Sequence, residues 1–157
     1  MSHSRYLILT LLFFLAGCED KKNIEKIIGS WTIERDVYTN GILKINSDKT
    51  FNFSETRDGS KTYANGYWQI KKDTLILNSE MPTECLYVNN FKQYCEDKYI
   101  VVKPYIETTV ENCEPNKGSN YYTKFNDEKF IIKGELIYYI NTNKNCANEQ
   151  FEINIHR

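Results

Sequence analysis

Residues 42–77 read ILKINSDKTFNFSETRDGSKTYANGYWQIKKDTLIL, and their pattern is the strongest indication of the fold class. Within it, residues 50–54 alternate strictly between polar and apolar side chains, which is the pattern of a half-buried β-strand. Polar turn sequences at 46–49, 57–60 and 71–73 interrupt the apolar pattern at short intervals. The stretch therefore predicts antiparallel strands that follow one another through short connections.

The strand pattern continues on both sides of this stretch. Isoleucines spaced at i, i+3 and i+4 within residues 23–28 predict one helical or 3₁₀ turn before the first strand. The last strand, at 151–156, should face the core with its odd-numbered residues. Further strands are predicted at 31–37, 42–45, 50–54, 63–70, 74–77, 121–125, 130–133 and 135–140, with less regular candidates at 86–91, 99–103 and 105–110. Together with 12 tyrosines and 8 phenylalanines, these elements predict an all-β fold, an up-and-down antiparallel β-barrel of about eight strands.

The N-terminus has the layout of a secretory signal peptide. Arg5 precedes an apolar run at 6–15, which is too short to remain as a membrane-spanning helix because such a helix needs about 20 apolar residues. Leu15-Ala16-Gly17-Cys18 resembles the bacterial lipobox. The resemblance implies cleavage before Cys18 and attachment of a diacylglycerol and fatty-acid chains such as palmitate to that cysteine, which together anchor a protein stably.

The chain thus divides into a signal peptide at 1–17, a lipidated tether at 18–23 and one domain at 24–157. An acidic pair, Glu19 and Asp20, follows the lipidated cysteine directly. In some bacteria such a start influences sorting between membranes. We expect the mature protein in the cell envelope, lipid-anchored to the outer membrane.

Four cysteines remain besides Cys18, and an even number in an exported chain predicts two disulfides. They are Cys85, Cys95, Cys113 and Cys146. Of the three possible pairings we favour Cys85 with Cys95 and Cys113 with Cys146, because the first pair encloses a short, hairpin-sized segment. A zinc site is not favoured, since the spacings are wide and no histidine lies near.

Charge and composition argue against nucleic-acid binding and against catalysis. Removal of Arg5 with the signal leaves 19 Lys and Arg against 21 Asp and Glu, so there is no basic excess. His156 is the only histidine left after cleavage removes His3, which disfavours nucleophilic catalysis. No phosphate-binding or calcium-binding loop occurs, and we expect no cofactor, no metal and no enzymatic activity. Carboxylates whose spacing selects no catalytic pair are Glu34, Asp36, Glu55, Glu84, Glu107 and Glu111.

Gly29-Ser30-Trp31, directly after the helical turn, resembles the start of a lipocalin-type barrel. The resemblance extends over the hairpin at 48–51 and Gly66-Tyr67-Trp68 into residues 73–75, about the first third of the chain. It implies that Trp31 packs across one end of the barrel against a basic side chain from the last strand. Arg157 is the only candidate for that side chain.

A barrel of about eight strands has an interior just large enough for side chains or for one small ligand. Tryptophans in such positions are more often core residues than ligand contacts. If the interior is hollow, the candidate lining residues are Trp31, Phe53, Tyr67, Trp68, Phe151 and Ile153.

Three functions are compatible with this sequence. The leading hypothesis is a membrane-tethered, lipocalin-like binding module that holds a small hydrophobic ligand or serves envelope maintenance. The alternative is a protein-interaction lipoprotein, inhibitor-like or immunity-like, with a filled barrel that acts through the cysteine-rich residues 78–120. An envelope hydrolase is the least favoured class.

Overall fold

The computed structural model describes residues 24–34, 39–57, 59–91, 107–116, 118, 121–140 and 153–157. The predicted signal peptide, the lipidation site Cys18 and the tether lie outside the described residues. A helical turn at 24–27 is followed by ten strands, β1 (Gly29–Glu34), β2 (Thr39–Ile45), β3 (Thr50–Arg57), β4 (Ser60–Lys71), β5 (Thr74–Ser79), β6 (Tyr87–Asn90), β7 (Tyr121–Lys124), β8 (Glu128–Lys133), β9 (Leu136–Tyr139) and β10 (Asn154–His156). No helix within the described ranges is long and apolar enough to cross a bilayer.

Eight of these strands form one antiparallel sheet in the order β10–β1–β2–β3–β4–β5–β8–β9. β1 to β5 are a continuous meander, as the turn signals predicted. The two outer strands, β9 and β10, lie next to each other, so that the sheet is nearly closed into a barrel. The prediction of an all-β barrel with a short N-terminal helical turn is therefore confirmed.

The eight barrel strands follow one another in chain order, and β6 and β7 are an addition that lies off this path. β5 pairs with β8, while β6 and β7 pair parallel with each other and β7 pairs parallel with β4 at Thr62 and Tyr63. Of the strand predicted at 105–110, the described part contains only a single bridge between Thr108 and Tyr87. The strand predicted at 99–103 lies outside the described residues.

Aromatic rings pack against one another in the middle of the barrel. The inward positions of β3 include Phe51 and Phe53, which both contact the ring of Phe125 at centroid distances of 5.1 and 5.2 Å. Phe91 stacks on Phe125 at 4.4 Å and also contacts Phe130 at 5.8 Å. All five rings are buried. Since each such ring contributes a large apolar area, this cluster dominates the packing of the core.

One end of the barrel, which we call the closed end, comprises residues 24–29, 46–49, 71–73 and 133–136 together with Arg157. Strand pairing brings these turns together, because residue 29 pairs with 45, 50 with 67, 71 with 74 and 133 with 136. The opposite end, which carries the β3–β4 turn at 57–60, we call the far end.

Trp31 and Arg157 join the helical turn to the closed end. The Trp31 ring is 1% exposed, and its Nε1 donates a hydrogen bond to the Ile27 carbonyl at 2.8 Å. The Arg157 guanidinium lies 4.7 Å from the ring centroid and donates hydrogen bonds to the carbonyls of Lys26 and Ile28. Stacking of this kind is typical of arginine, whose planar cation also retains its donors. The contact that the lipocalin resemblance implied for Trp31 is present.

Gly66 is a position where β4 and β5 approach too closely for a side chain. A Cβ atom added there would lie 2.6 Å from the Ser79 Cα and closer still to the Asn78 carbonyl oxygen. Both neighbours are backbone, so they cannot rotate away. We predict that Gly66→Ala lowers the free energy of unfolding by about 2 kcal/mol or more, because overpacked sites typically cost about 1–3 kcal/mol.

Urea denaturation of the purified protein measures this effect, and Asn65→Ala is the matched control. Asn65 precedes Gly66 on β4 and its side chain is exposed. Its replacement should change the free energy of unfolding by no more than about 0.5 kcal/mol, the usual range for surface substitutions. Equal stability of the Gly66→Ala and Asn65→Ala variants would contradict the close approach of the two strands.

Candidate functional site

Three of the predicted ligand-lining residues are core residues of the barrel. Trp31, Phe53 and Trp68 are 1%, 2% and 3% exposed. Phe53 contacts the rings of Phe91 and Phe125, and the Trp68 Nε1 donates a hydrogen bond to the Asn46 carbonyl at 2.9 Å. The three side chains fill space in the core, and both indole N–H groups donate hydrogen bonds.

The prediction that Tyr67 lines the interior is wrong. Tyr67 is 53% exposed, whereas its neighbours Gly66 and Trp68 face inward. Successive residues of a strand point to opposite faces, so Tyr67 and Trp68 cannot both line the interior. A hydrogen bond to the Glu80 carboxylate, the main cause, raises the pKa of the Tyr67 phenol above its ordinary value.

The other two predicted lining residues are Phe151 and Ile153. Ile153 is partly buried against the core, and Ile155 in β10 is buried, so the odd-numbered described residues face inward as predicted. Phe151 lies outside the described residues.

Cys85 forms a disulfide with Cys113 across 28 residues of sequence. The favoured pairing of Cys85 with Cys95 and Cys113 with Cys146 is therefore wrong. The hairpin assumption did not anticipate that β6, which follows Cys85, pairs with the distant strand β7. Cys95 and Cys146 lie outside the described residues.

Backbone hydrogen bonds hold the two disulfide-linked stretches side by side. We call residues 80–91 and 107–116 the cysteine-linked segment. The Val88 amide donates to the Glu107 carbonyl at 2.8 Å, and the Thr109 amide donates to the Leu86 carbonyl at 3.0 Å. The Thr109 hydroxyl in turn accepts a hydrogen bond from the Leu86 amide at 2.9 Å and donates one to the Glu84 carbonyl. Leu86 itself is buried in the barrel core and fixes the segment to it.

Two tyrosines attach the segment to the wall of the barrel. The Tyr122 hydroxyl donates to the carbonyl of Glu80 and, at 3.3 Å, to that of Asn65, and the Tyr63 hydroxyl donates to the Glu84 carboxylate at 3.4 Å. Burial, the larger cause, raises the pKa of both phenols, and the neighbouring Glu84 carboxylate adds to the effect at Tyr63. Both hydroxyls therefore keep the protons that they donate.

An open cleft of about 800 Å³ is lined by residues of the cysteine-linked segment. Its walls combine apolar side chains with hydroxyl, amide and carboxylate groups. They are formed by Met81, Tyr87, Glu107, Thr108, Thr109, Glu111, Asn112, Cys113, Glu114 and Pro115. The volume falls in the range of ordinary binding sites, and the mixture of groups suits a polar partner better than a purely apolar one.

The cleft is acidic. Of its three carboxylates, Glu107 forms an ion pair with Lys124 at 2.6 Å, whereas Glu111 and Glu114 are exposed. The described residues of the cysteine-linked segment hold five glutamates and no lysine or arginine. Electrostatic complementarity thus favours a basic partner surface.

Of the carboxylates considered for catalysis, the structure places Glu107 and Glu111 in the walls of the cleft. Glu34, Glu84 and Glu111 are exposed, and His156 is exposed on β10. Glu107 is engaged with Lys124, and Asp36 lies outside the described ranges. Among the residues that the structure describes, no three His, Cys, Asp or Glu side chains are placed to hold a metal ion.

Two buried carboxylates were not singled out as interior groups from the sequence. Glu55 is 3% exposed and Glu128 is 2% exposed. The Tyr139 hydroxyl donates a hydrogen bond to Glu128 at 2.9 Å. The alternation in β3 gives a signal for Glu55, because it continues the inward series of Phe51 and Phe53.

Comparison of the chain with protein-family models, with curated proteins and with solved structures finds no match.

Proposed function

We propose that this chain is a lipid-anchored, non-catalytic lipoprotein of the bacterial cell envelope, with a lipocalin-like barrel, that binds a protein partner through its cysteine-linked segment. The observation that carries the proposal is the acidic cleft beside the Cys85–Cys113 disulfide. A covalent link and several backbone hydrogen bonds hold its walls, and such preorganisation lowers the cost of binding.

The packing of the core supports a surface site over an interior one. Phe53 and Trp68, two of the residues expected to line a hollow barrel, contact other core groups instead. The cleft, by contrast, is open and carries exposed Met81 together with acidic groups. Binding of a small hydrophobic ligand inside the barrel is the competing outcome of the experiment below.

The anchoring part of the proposal rests on the likeness of residues 15–18 to a lipobox. The stacking of Arg157 on Trp31 supports the lipocalin likeness. We predict that Cys18→Ser abolishes incorporation of labelled palmitate and releases the protein from the membrane fraction. Unchanged labelling and unchanged sedimentation of the serine variant would contradict anchoring at this residue.

Site-specific photo-crosslinking tests the binding part. A benzophenone amino acid at Met81, which is 40% exposed in the cleft, should yield one crosslinked partner protein in intact cells. The same group at Tyr138, which is 46% exposed on β9, is the matched control and should not. Glu111→Lys combined with Glu114→Lys should abolish the adduct, because it reverses the charge of the cleft.

Two results would overturn protein binding at the cleft. One is the same set of adducts from both positions, or none from Met81. The other is a lipid that co-purifies with the mature protein in native mass spectrometry and persists in the charge-reversed variant, which would favour a ligand inside the barrel.

A further inference from the structure

The closed end of the barrel presents a group of cations. Six basic side chains lie there against four carboxylates, Glu25, Asp48, Asp73 and Glu135. All six except the half-buried Lys26 are exposed, and they are Lys26, Lys49, Lys71, Lys72, Lys133 and Arg157. The same end exposes an apolar side chain, Leu136, at 48%. Cations around an exposed apolar residue are the usual composition of a surface that rests on lipid headgroups.

The described charge is polarised along the barrel. Tyr87 aligns through Tyr121 with Thr62, near the start of β4, so the cysteine-linked segment lies toward the far end. Its described residues hold only acidic charges. An anionic surface therefore attracts the closed end and repels the segment that carries the cleft.

The length of chain before the described domain limits where a membrane can be. If Cys18 carries the lipid, the tether at 18–23 has six residues and reaches at most about 20 Å when fully extended. The chain enters the domain at the helical turn, whose Ile27 packs at the closed end and accepts a hydrogen bond from Trp31. The anchor is thus attached at the end of the barrel that carries the cations.

We propose that the closed end docks on an anionic lipid surface, so that the barrel stands on the membrane with its cysteine-linked segment directed away from it. This inference rests on the proposed lipid anchoring and adds an orientation to it. The lipid supplies the attachment, and the cations select which face meets the headgroups. Each basic side chain near an anionic surface favours the docked state by about fivefold.

The two tryptophans of the chain are native reporters of this docking. Trp31 lies beneath Arg157 and Trp68 beneath Lys49, whose Nζ is 3.9 Å from the ring centroid, so both rings sit at the closed end. A nitroxide on a lipid headgroup quenches tryptophan fluorescence only at short range. Quenching by headgroup-labelled lipids therefore measures how closely the closed end approaches the bilayer surface.

The experiment uses the mature lipoprotein, reconstituted in phosphatidylcholine vesicles that include the headgroup-labelled lipid, with and without about 30% phosphatidylglycerol. We expect marked quenching in the anionic vesicles and little in the zwitterionic ones. Lys71→Glu combined with Lys72→Glu should reduce quenching in anionic vesicles to the zwitterionic level, because the two changes replace attraction to the headgroups by repulsion. Neither lysine contacts a tryptophan, so a direct effect on the fluorescence is not expected. Lys61→Glu combined with Lys129→Glu makes the same change in net charge away from the closed end and should leave the quenching unchanged.

Equal quenching in both kinds of vesicle, or equal loss in both double variants, would overturn the proposed docking. Flotation of the same samples separates this failure from failure of the anchor. If the protein floats with vesicles only when Cys18 is present, but quenching does not change when the closed-end lysines are replaced, the anchoring is supported and the docking is wrong. If the Cys18→Ser variant floats equally well, the anchoring itself is wrong, and the tether no longer places the membrane at the closed end.

Discussion

Replacing Phe125 by alanine is expected to lower the free energy of unfolding by about 3–5 kcal/mol, the usual cost of removing a buried aromatic ring. Phe125 is 2% exposed and contacts three other phenylalanine rings, Phe51, Phe53 and Phe91, at 4.4 to 5.2 Å. The substitution would leave a cavity in the middle of the barrel that these rigid neighbours cannot fill. Urea or thermal denaturation of the purified variant measures the loss.

Tyr67→Ala is the control for this substitution. It also removes an aromatic ring from the barrel wall, but Tyr67 is 53% exposed, so we expect a loss below about 1 kcal/mol. Phe125→Leu should fall between the two because it leaves a smaller cavity. A Phe125→Ala variant as stable as the Tyr67→Ala variant would mean that the interior at this point is not packed. That result would favour a hollow barrel that binds a small ligand inside.

The local parts of this fold could be predicted from the sequence. Residues 50–54 alternate between polar and apolar types just as β3 alternates between exposed and buried positions, because a half-buried strand imposes a period of two on its side chains. Trp31 could also be placed, since its position after the helical turn resembles the lipocalin start and Arg157 was the one basic candidate. The same period of two places Tyr67 and Trp68 on opposite faces of β4, so only one of them can face the interior.

The arrangement of residues 80–124 could not be predicted, because it depends on pairings between distant parts of the chain. β6 and β7 pair parallel, and parallel strands need a long crossover whose path local signals do not specify. The disulfide shares this problem, since four cysteines allow three connectivities and spacing does not choose among them. The glutamates of the cleft can be read from the sequence. That Glu107, Glu111 and Glu114 line one cleft beside Cys113 is seen only in the structure.

Removing the Cys85–Cys113 disulfide is expected to lower the free energy of unfolding by about 3–4 kcal/mol, because the link closes a loop of 28 residues and restricts the unfolded chain. The double variant Cys85→Ala with Cys113→Ala tests this without leaving a free partner to mispair with Cys95 or Cys146. The cleft should be lost as well, since Cys113 forms part of its wall. Crosslinking from Met81 should therefore fall together with the stability.

Peptide mapping without reduction checks the connectivity directly. A linked peptide pair containing Cys85 and Cys113 is expected, and a pair joining Cys85 to Cys95 would contradict the structure. If the chain closes two disulfides, as its even number of remaining cysteines predicts, the second can only join Cys95 to Cys146. The wild-type protein under reducing conditions should then be less stable than the oxidised double alanine variant, because reduction breaks both links whereas the variant keeps the second. Equal stabilities in that comparison would mean that Cys85–Cys113 is the only disulfide that stabilises the protein.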